Sequence, residues 1–176
     1  MPNIIGKEYN ELKDLFVFKL QTLLDVETEL IVALPKMAMA ATEPDLKKGF
    51  EQHLKETKEH QRRIQEAFSA LALKPEIAKN KGLRGIVEDA EWLIKKIEIG
   101  TVRDAALVSS ALSVEQYEIG CYGSAIEWAE LLGYSEIKAS LDTTLSEEQE
   151  TADTLVELGT EKVYEEAIGE DENTEE

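Results

Sequence analysis

Proline and glycine occur only 4 and 10 times in this 176-residue chain, and they gather at a few points between long runs rich in Ala, Leu, Glu and Lys. Those residues lose least on entering a helix, so the placement of the breakers predicts an all-α protein. The first helix is expected over about 8–41, closing at Thr42-Glu43-Pro44 and kinked or locally opened at Pro35. A second follows over about 45–73, with Asp45 in its first turn. A short third helix, about 83–98, ends at Gly100. Thr101-Val-Arg-Asp104 resembles a capping box with Asp in place of Glu and opens a fourth helix that stops at Gly133. Ser135 is the expected cap of a fifth, about 136–167. Residues 1–168 read as one helical domain, followed by an acidic tail, 169–176, too polar to order itself.

Connection lengths restrict the topology. About 3 residues join the first helix to the second, and the fourth to the fifth, so each pair is an antiparallel hairpin. The roughly 30 residues between the hairpins can cross from one end of the molecule to the other. Two hairpins with one long crossover make the ferritin-like form of a four-helix bundle, with the short third helix lying on the crossover.

The acids outnumber the bases 37 to 19, a net charge of −18. That sign argues against nucleic acid, whose binding rests on cationic side chains, and against anionic lipid. No apolar run approaches the ~20 residues of a membrane span, and MPNIIGKEYNELKDL lacks the pattern of a secretion signal. The single cysteine, Cys121, excludes an intrachain disulfide and reads as a small buried residue. A cytoplasmic location is the default expectation.

The apolar stripes carry acids. Phe16, Leu20, Leu23, Leu30, Leu34 and Met37 share one face of the first helix, and Glu27 interrupts it. The second helix lines up Leu46, Phe50, His53, Thr57, His60 and Ile64, with Glu56 between its two histidines. Glu115 and Glu118 occupy successive inward positions of the fourth helix, and Glu148 one of the fifth. At about 1.5 Å rise per residue these five carboxylates reach one level of the molecule. Buried unpaired charges cost several kcal/mol each, and no Lys or Arg stands in the stripes. The acids are therefore expected to be protonated or to bind cations. Carboxylate and imidazole suit hard or borderline ions, and a known bundle recipe takes a Glu from each of two helices plus Glu-x-x-His from each of two others. Here Glu56-x-x-Glu59 and Glu148-x-x-Thr151 stand where Glu-x-x-His would, so an imidazole must come from His60 or His53, or be absent.

Several segments resemble the YciE/YciF-type ferritin-like stress proteins: VRDAAL, VEQYEIGCYG and AELLGY, with ALPKMA, HLKET and GIVEDAEWLI. The resemblance covers about 10–160 and implies a ferritin-like bundle, often dimeric, with a di-iron-type centre. It places carboxylate ligands on Glu27, Glu56, Glu115, Glu118 and Glu148, the positions that periodicity also selects. Two positions depart from the pattern of relatives: Ala152 replaces an Asp, with Asp153 turned about 100° away, and Leu24 replaces a Tyr.

The leading expectation is a protein holding two divalent ions, Fe or Mn, through Glu27, Glu56, His60, Glu115, Glu118 and Glu148. It would react with oxygen or peroxide, or bind iron, during stress, as a homodimer; whether it is an enzyme is left open. Tyr122, a turn beyond Glu118, reads as a core aromatic or as a donor toward the centre. Tyr117 lies off the stripe and receives no role. His53 reads as a structural histidine orienting Glu56 or as a ligand, and Glu88 as a solvated acid. The alternative is a metal-free helical stress or interaction protein dimerising around Trp92 or Trp128.

Overall fold

The structure is a computed structural model that describes residues 9–169. Five helices dominate: α1 (Leu12–Ala40), α2 (Pro44–Ala70), α3 (Lys81–Lys96), α4 (Thr101–Leu131) and α5 (Ser135–Leu158). A π-helical turn, Gly159–Val163, and a short α6, Tyr164–Ile168, prolong α5. There is no strand among the described residues, so the all-α expectation is borne out. The expected acidic tail lies outside the described residues from position 170 onward.

α1 packs along α2 and α4, and α5 along α4 and α2, while α3 rests chiefly on α4. Each long helix turns one stripe inward, and the buried apolar side chains form two clusters rather than one. Phe16, Leu20, Phe68, Tyr122 and Leu141 belong to the first; Leu30, Leu46, Phe50, Leu107 and Leu155 belong to the second. His53 and His60 on α2, Glu115 and Glu118 on α4 and Glu148 on α5 lie between the two clusters in chain order, and Glu27 on α1 lies where the first cluster gives way to the second, so a polar belt divides the core.

Several local expectations are corrected. α1 runs without interruption through Pro35. The ring removes one donor from the ladder, a loss that packing along the rest of this 29-residue helix outweighs. The N-cap of α4 is Gly100, at φ 151°, with no side-chain cap, rather than Thr101 of a capping box. Asp104 caps a different turn: its carboxylate accepts from the backbone N–H groups of Thr42 and Glu43, 2.8 Å each, and from the Thr42 hydroxyl. It thus ties the α1–α2 connection to α4. Tyr134, not Ser135, is the N-cap of α5. The single long fifth helix is broken in its pattern by the π turn, where a Cβ on Gly159 would meet the Tyr164 ring at 2.7 Å.

The crossover is strapped down by buried polar groups. Asp25 accepts from the Asn80 backbone N–H at 2.7 Å and from Lys79 at 3.0 Å. The Asn80 side chain caps α3 by accepting from the Leu83 N–H, and it also accepts from the Tyr117 hydroxyl at 2.7 Å. Tyr117 therefore has a role after all: it fastens the start of α3 to α4.

A candidate metal centre in the polar belt

Four helices supply the belt: Glu27 from α1, His53 and His60 from α2, Glu115 and Glu118 from α4, and Glu148 from α5, all buried. The local reason is helical periodicity. His53 and His60 lie two turns apart on one face, and Glu115 and Glu118 lie about one turn apart.

These six residues form two donor groups, Glu27–His60–Glu148 and His53–Glu115–Glu118–Glu148. Within each group one ligand atom per residue lies within 4.8 Å of all the others. Glu148 belongs to both: its Oε1 is 2.8 Å from His60 Nδ1 and its Oε2 is 3.8 Å from His53 Nε2. His53 Nε2 is also 3.4 Å from Glu115 Oε1, and His60 Nδ1 is 3.8 Å from Glu27 Oε2.

Proximity here is not hydrogen bonding. Eight belt atoms have no hydrogen-bond partner: Glu27 Oε2, His53 Nε2, His60 Nδ1, Glu115 Oε2 and both oxygens of Glu118 and Glu148. Even the 2.8 Å approach of Glu148 to His60 lacks the angles of a hydrogen bond. Buried polar groups are ordinarily satisfied, so this concentration of orphans needs a physical cause. Carboxylates and imidazoles facing one another across a common space are the donor set of a hard or borderline metal ion, and the residues present fit one.

The outward nitrogens of both imidazoles are held. His60 Nε2 lies 2.9 Å from Glu147 Oε2, and Arg63 pairs with the same Glu147 while donating to Thr144 at 3.1 Å. His53 Nδ1 faces Thr151 Oγ1 at 3.4 Å and Glu56 Oε2 at 3.5 Å. A carboxylate on the outer nitrogen favours the proton there and leaves the inner nitrogen free as a ligand.

Without a cation the belt stores protons. Burial, then the charge of Glu148, raises the Glu27 carboxyl to a pKa of about 8. The same two causes, in the same order, push Glu115 and Glu118 well above the ordinary carboxylate range. Burial also opposes ionisation of Glu148, but His60 beside it holds its carboxyl below the usual value. For His60 burial disfavours the cation, and Glu148 with Glu27 and Glu147 overcome it, raising its pKa to about 9. The Tyr122 hydroxyl donates to Glu27 and is itself buried, which pushes its pKa up.

Of the residues the sequence selects, the structure brings Glu27, His60, Glu115, Glu118 and Glu148 together. Glu56 stands outside both donor groups: half-buried, it accepts from Gln52 at 2.8 Å and flanks His53. His53, with Gln52, lowers its pKa to about 2, His53 being the largest influence and burial the opposing one. Of the two readings of His53, its placement matches the inward one: Nε2 faces Glu115 in the belt, and Glu56 flanks Nδ1 from the edge. Glu59 pairs with Arg62, and Glu88 and Asp153 are exposed. Sequence reasoning missed Glu147 and Arg63. The inward stripes indeed contain no Lys or Arg, and among the described residues none pairs with the four belt glutamates, but Arg63 beside the stripe reaches behind His60. Only the contact between α2 and α5 reveals that. Cys121 is buried in the first apolar cluster, apart from the donor groups.

A pocket of about 310 Å³ lies against the second donor group and includes His53 and Glu115 in its wall. Its exposed lining residues, such as Gly49, Gln52, Glu150 and Thr154, all come from α2 and α5, so its mouth opens between those helices.

The fold and site together define an all-helical protein with two buried His/Glu groups that could hold metal ions. The chain belongs to the family described as Domain of unknown function (DUF892), which matches residues 11–168, in agreement with the resemblance read from its motifs. It is 35% identical over 157 residues to protein YciF of Escherichia coli K12, covering 89% of this chain and 95% of that protein. The crystal structure of YciF, described as a stress protein, superposes with a TM-score of 0.83 at 35% identity, over 86% of this chain and 96% of that one. YcfI of Rhodopseudomonas palustris gives a TM-score of 0.84, also at 35% identity, over 86% of this chain and 97% of that one. A Xanthomonas campestris protein at 22% identity and a TM-score of 0.68, covering 85% of this chain and 92% of that one, shares the fold. No helix among the described residues is long and apolar enough to cross a membrane.

Proposed function

We propose that this chain is a ferritin-like four-helix bundle that holds two divalent metal ions, iron or manganese, in its polar belt and serves in stress response. The observation that carries the proposal is Glu148, whose two oxygens face the two donor groups separately. Four glutamates and two histidines would then be the ligands, the same ligand tally as the bundle recipe, although both imidazoles here sit on α2. Charge supports two ions rather than one, since two divalent cations cancel four ionised carboxylates with both imidazoles neutral. Metal ions in such a site supply Lewis acidity and, for iron, one-electron chemistry toward oxygen or peroxide.

The protein's own residues set the conditions. Glu147 and Arg63 fix the His60 ring, and Glu56 and Thr151 fix that of His53. The Tyr122 hydroxyl orients Glu27, and the two apolar clusters flank the belt, which the pocket beside His53 and Glu115 leaves reachable from between α2 and α5. Oxidation of a small molecule and simple retention of iron are both compatible with this arrangement. A homodimer is proposed with it, and a cytoplasmic setting. Exposed Trp92 offers an apolar contact for association, whereas Trp128 is half-buried with Lys19 over its ring.

Metal content of protein purified without chelator, measured by mass spectrometry, tests the reading. Wild type should hold close to two ions per chain, and Glu115→Ala and Glu148→Ala clearly fewer. Equal and negligible metal in all three would favour the metal-free interaction protein instead, its belt acids protonated as their raised pKa values allow.

A further inference from the structure

We propose that the pocket between α2 and α5 is a binding site for a small molecule with an apolar body and a cationic head, of the alkylamine class. The inference does not depend on metal in the belt.

The pocket, about 310 Å³, falls at the lower end of the usual size of small-molecule sites. Its inner wall is apolar, built from Leu34, Met37, Leu46, Phe50, Val114 and Leu155. Water in such a space makes few hydrogen bonds, so an apolar occupant gains by displacing it. At the belt end stand His53 and Glu115, 4% and 2% exposed, whose Nε2 and Oε2 have no hydrogen-bond partner. His53 and Glu115 belong to the second donor group, so the occupant is read from the apolar wall and from the charge at the mouth.

The charge of the lining selects the head. It contains five acids, Asp45, Glu56, Glu115, Glu147 and Glu150, and neither Lys nor Arg. Asp45 is engaged by Lys162 and Glu147 by Arg63. Glu56 and Glu150 are paired with no Lys or Arg among the described residues, and both face the pocket. A carboxylate head would be repelled there, whereas an ammonium meets opposite charge at the mouth. The occupant's chain then runs from these acids toward Leu34 and Met37.

Gly49 lies in the lining, and a Cβ added there meets nothing within 4 Å. A side chain at this exposed position therefore adds bulk at the mouth of the pocket without a clash at its Cβ, and it removes a helix-weakening glycine. The test is calorimetric titration of the full-length chain, both chelator-treated and manganese-loaded, with n-octylamine, 1-octanol and octanoate below their aggregation concentrations. Octylamine should saturate at one per chain, with octanoate at least tenfold weaker. Gly49→Leu, and independently Thr154→Trp at the opposite lip, should abolish the binding while circular dichroism and metal content stay as in wild type. Glu56→Gln with Glu150→Gln should bring octylamine down toward octanol. Absence of saturable octylamine binding, octanoate binding as well as the amine, or unchanged binding in folded Gly49→Leu and Thr154→Trp would each overturn the proposal. Because metal content is read separately, failure here leaves the di-metal reading standing, and the reverse also holds.

Discussion

In the chelated protein, stability should fall as pH rises from about 5 to 8, and Glu27 should be responsible for a defined share. Its carboxyl is fully buried, with a pKa raised from 4.5 to about 8. Between those values the folded chain keeps a proton that the unfolded chain has released, so each pH unit favours unfolding by about 1.4 kcal/mol. The contribution of this group is complete below about pH 4.5 and lost as pH climbs through about 8, roughly 5 kcal/mol over the window. Glu115 and Glu118 act in the same direction, as does His60, whose contribution is present below about 6.5 and lost through about 9. Glu148, held below its ordinary pKa, works the other way and loses its contribution only as pH falls. Glu27→Gln keeps an oxygen for Tyr122 but no titration, so its slope should be shallower than wild type by about 1.4 kcal/mol per unit. Urea unfolding followed by circular dichroism at pH 5, 6, 7 and 8 in chelator measures both slopes. A flat wild-type profile, or a Glu27→Gln slope equal to wild type, would show that the belt does not hold protons and would refute the reasoning.

The same protons govern metal uptake: manganese should bind more tightly at pH 7.5 than at pH 5, with proton release detectable by calorimetry in buffers of different ionisation enthalpy. Binding with no proton release would contradict the assignment of protonated belt acids. Glu147→Gln, which removes the carboxylate behind His60, should weaken metal binding about 10- to 100-fold without removing a ligand, measured by competition with a chromophoric chelator. Glu56→Gln should weaken it similarly through His53, whereas loss of an ion from the stoichiometry would mark Glu56 as a direct ligand. Asp104→Ala leaves the N–H groups of Thr42 and Glu43 without their acceptor and should cost about 1–3 kcal/mol in thermal or urea unfolding while metal content stays unchanged.

The helices and their inward acids were legible because each depends on local rules. Helix formers between sparse breakers set the segments, and a 3.6-residue period puts Glu27, Glu115, Glu118 and Glu148 on apolar faces whatever the neighbours are. Short connections could likewise be read as hairpins from length alone. Local capping was less legible: Asp104 looks like part of its own helix's cap in sequence, yet its acceptors serve a turn about 60 residues earlier.

The sequence by itself determined which residues lie on an inward face, since that is a property of one helix and its period. The tertiary structure decided which of them meet. His53 and Glu56 are three residues apart, about 60° around the helix, and only the rotation of α2 against α4 and α5 settles that the imidazole enters the belt and the carboxylate stays at its edge. The backing of His60 by Glu147 and Arg63, and the sharing of Glu148 by two donor groups, have the same origin. Side chains of only a few ångströms' reach are matched across helices by packing, and no spacing along one chain segment encodes that match.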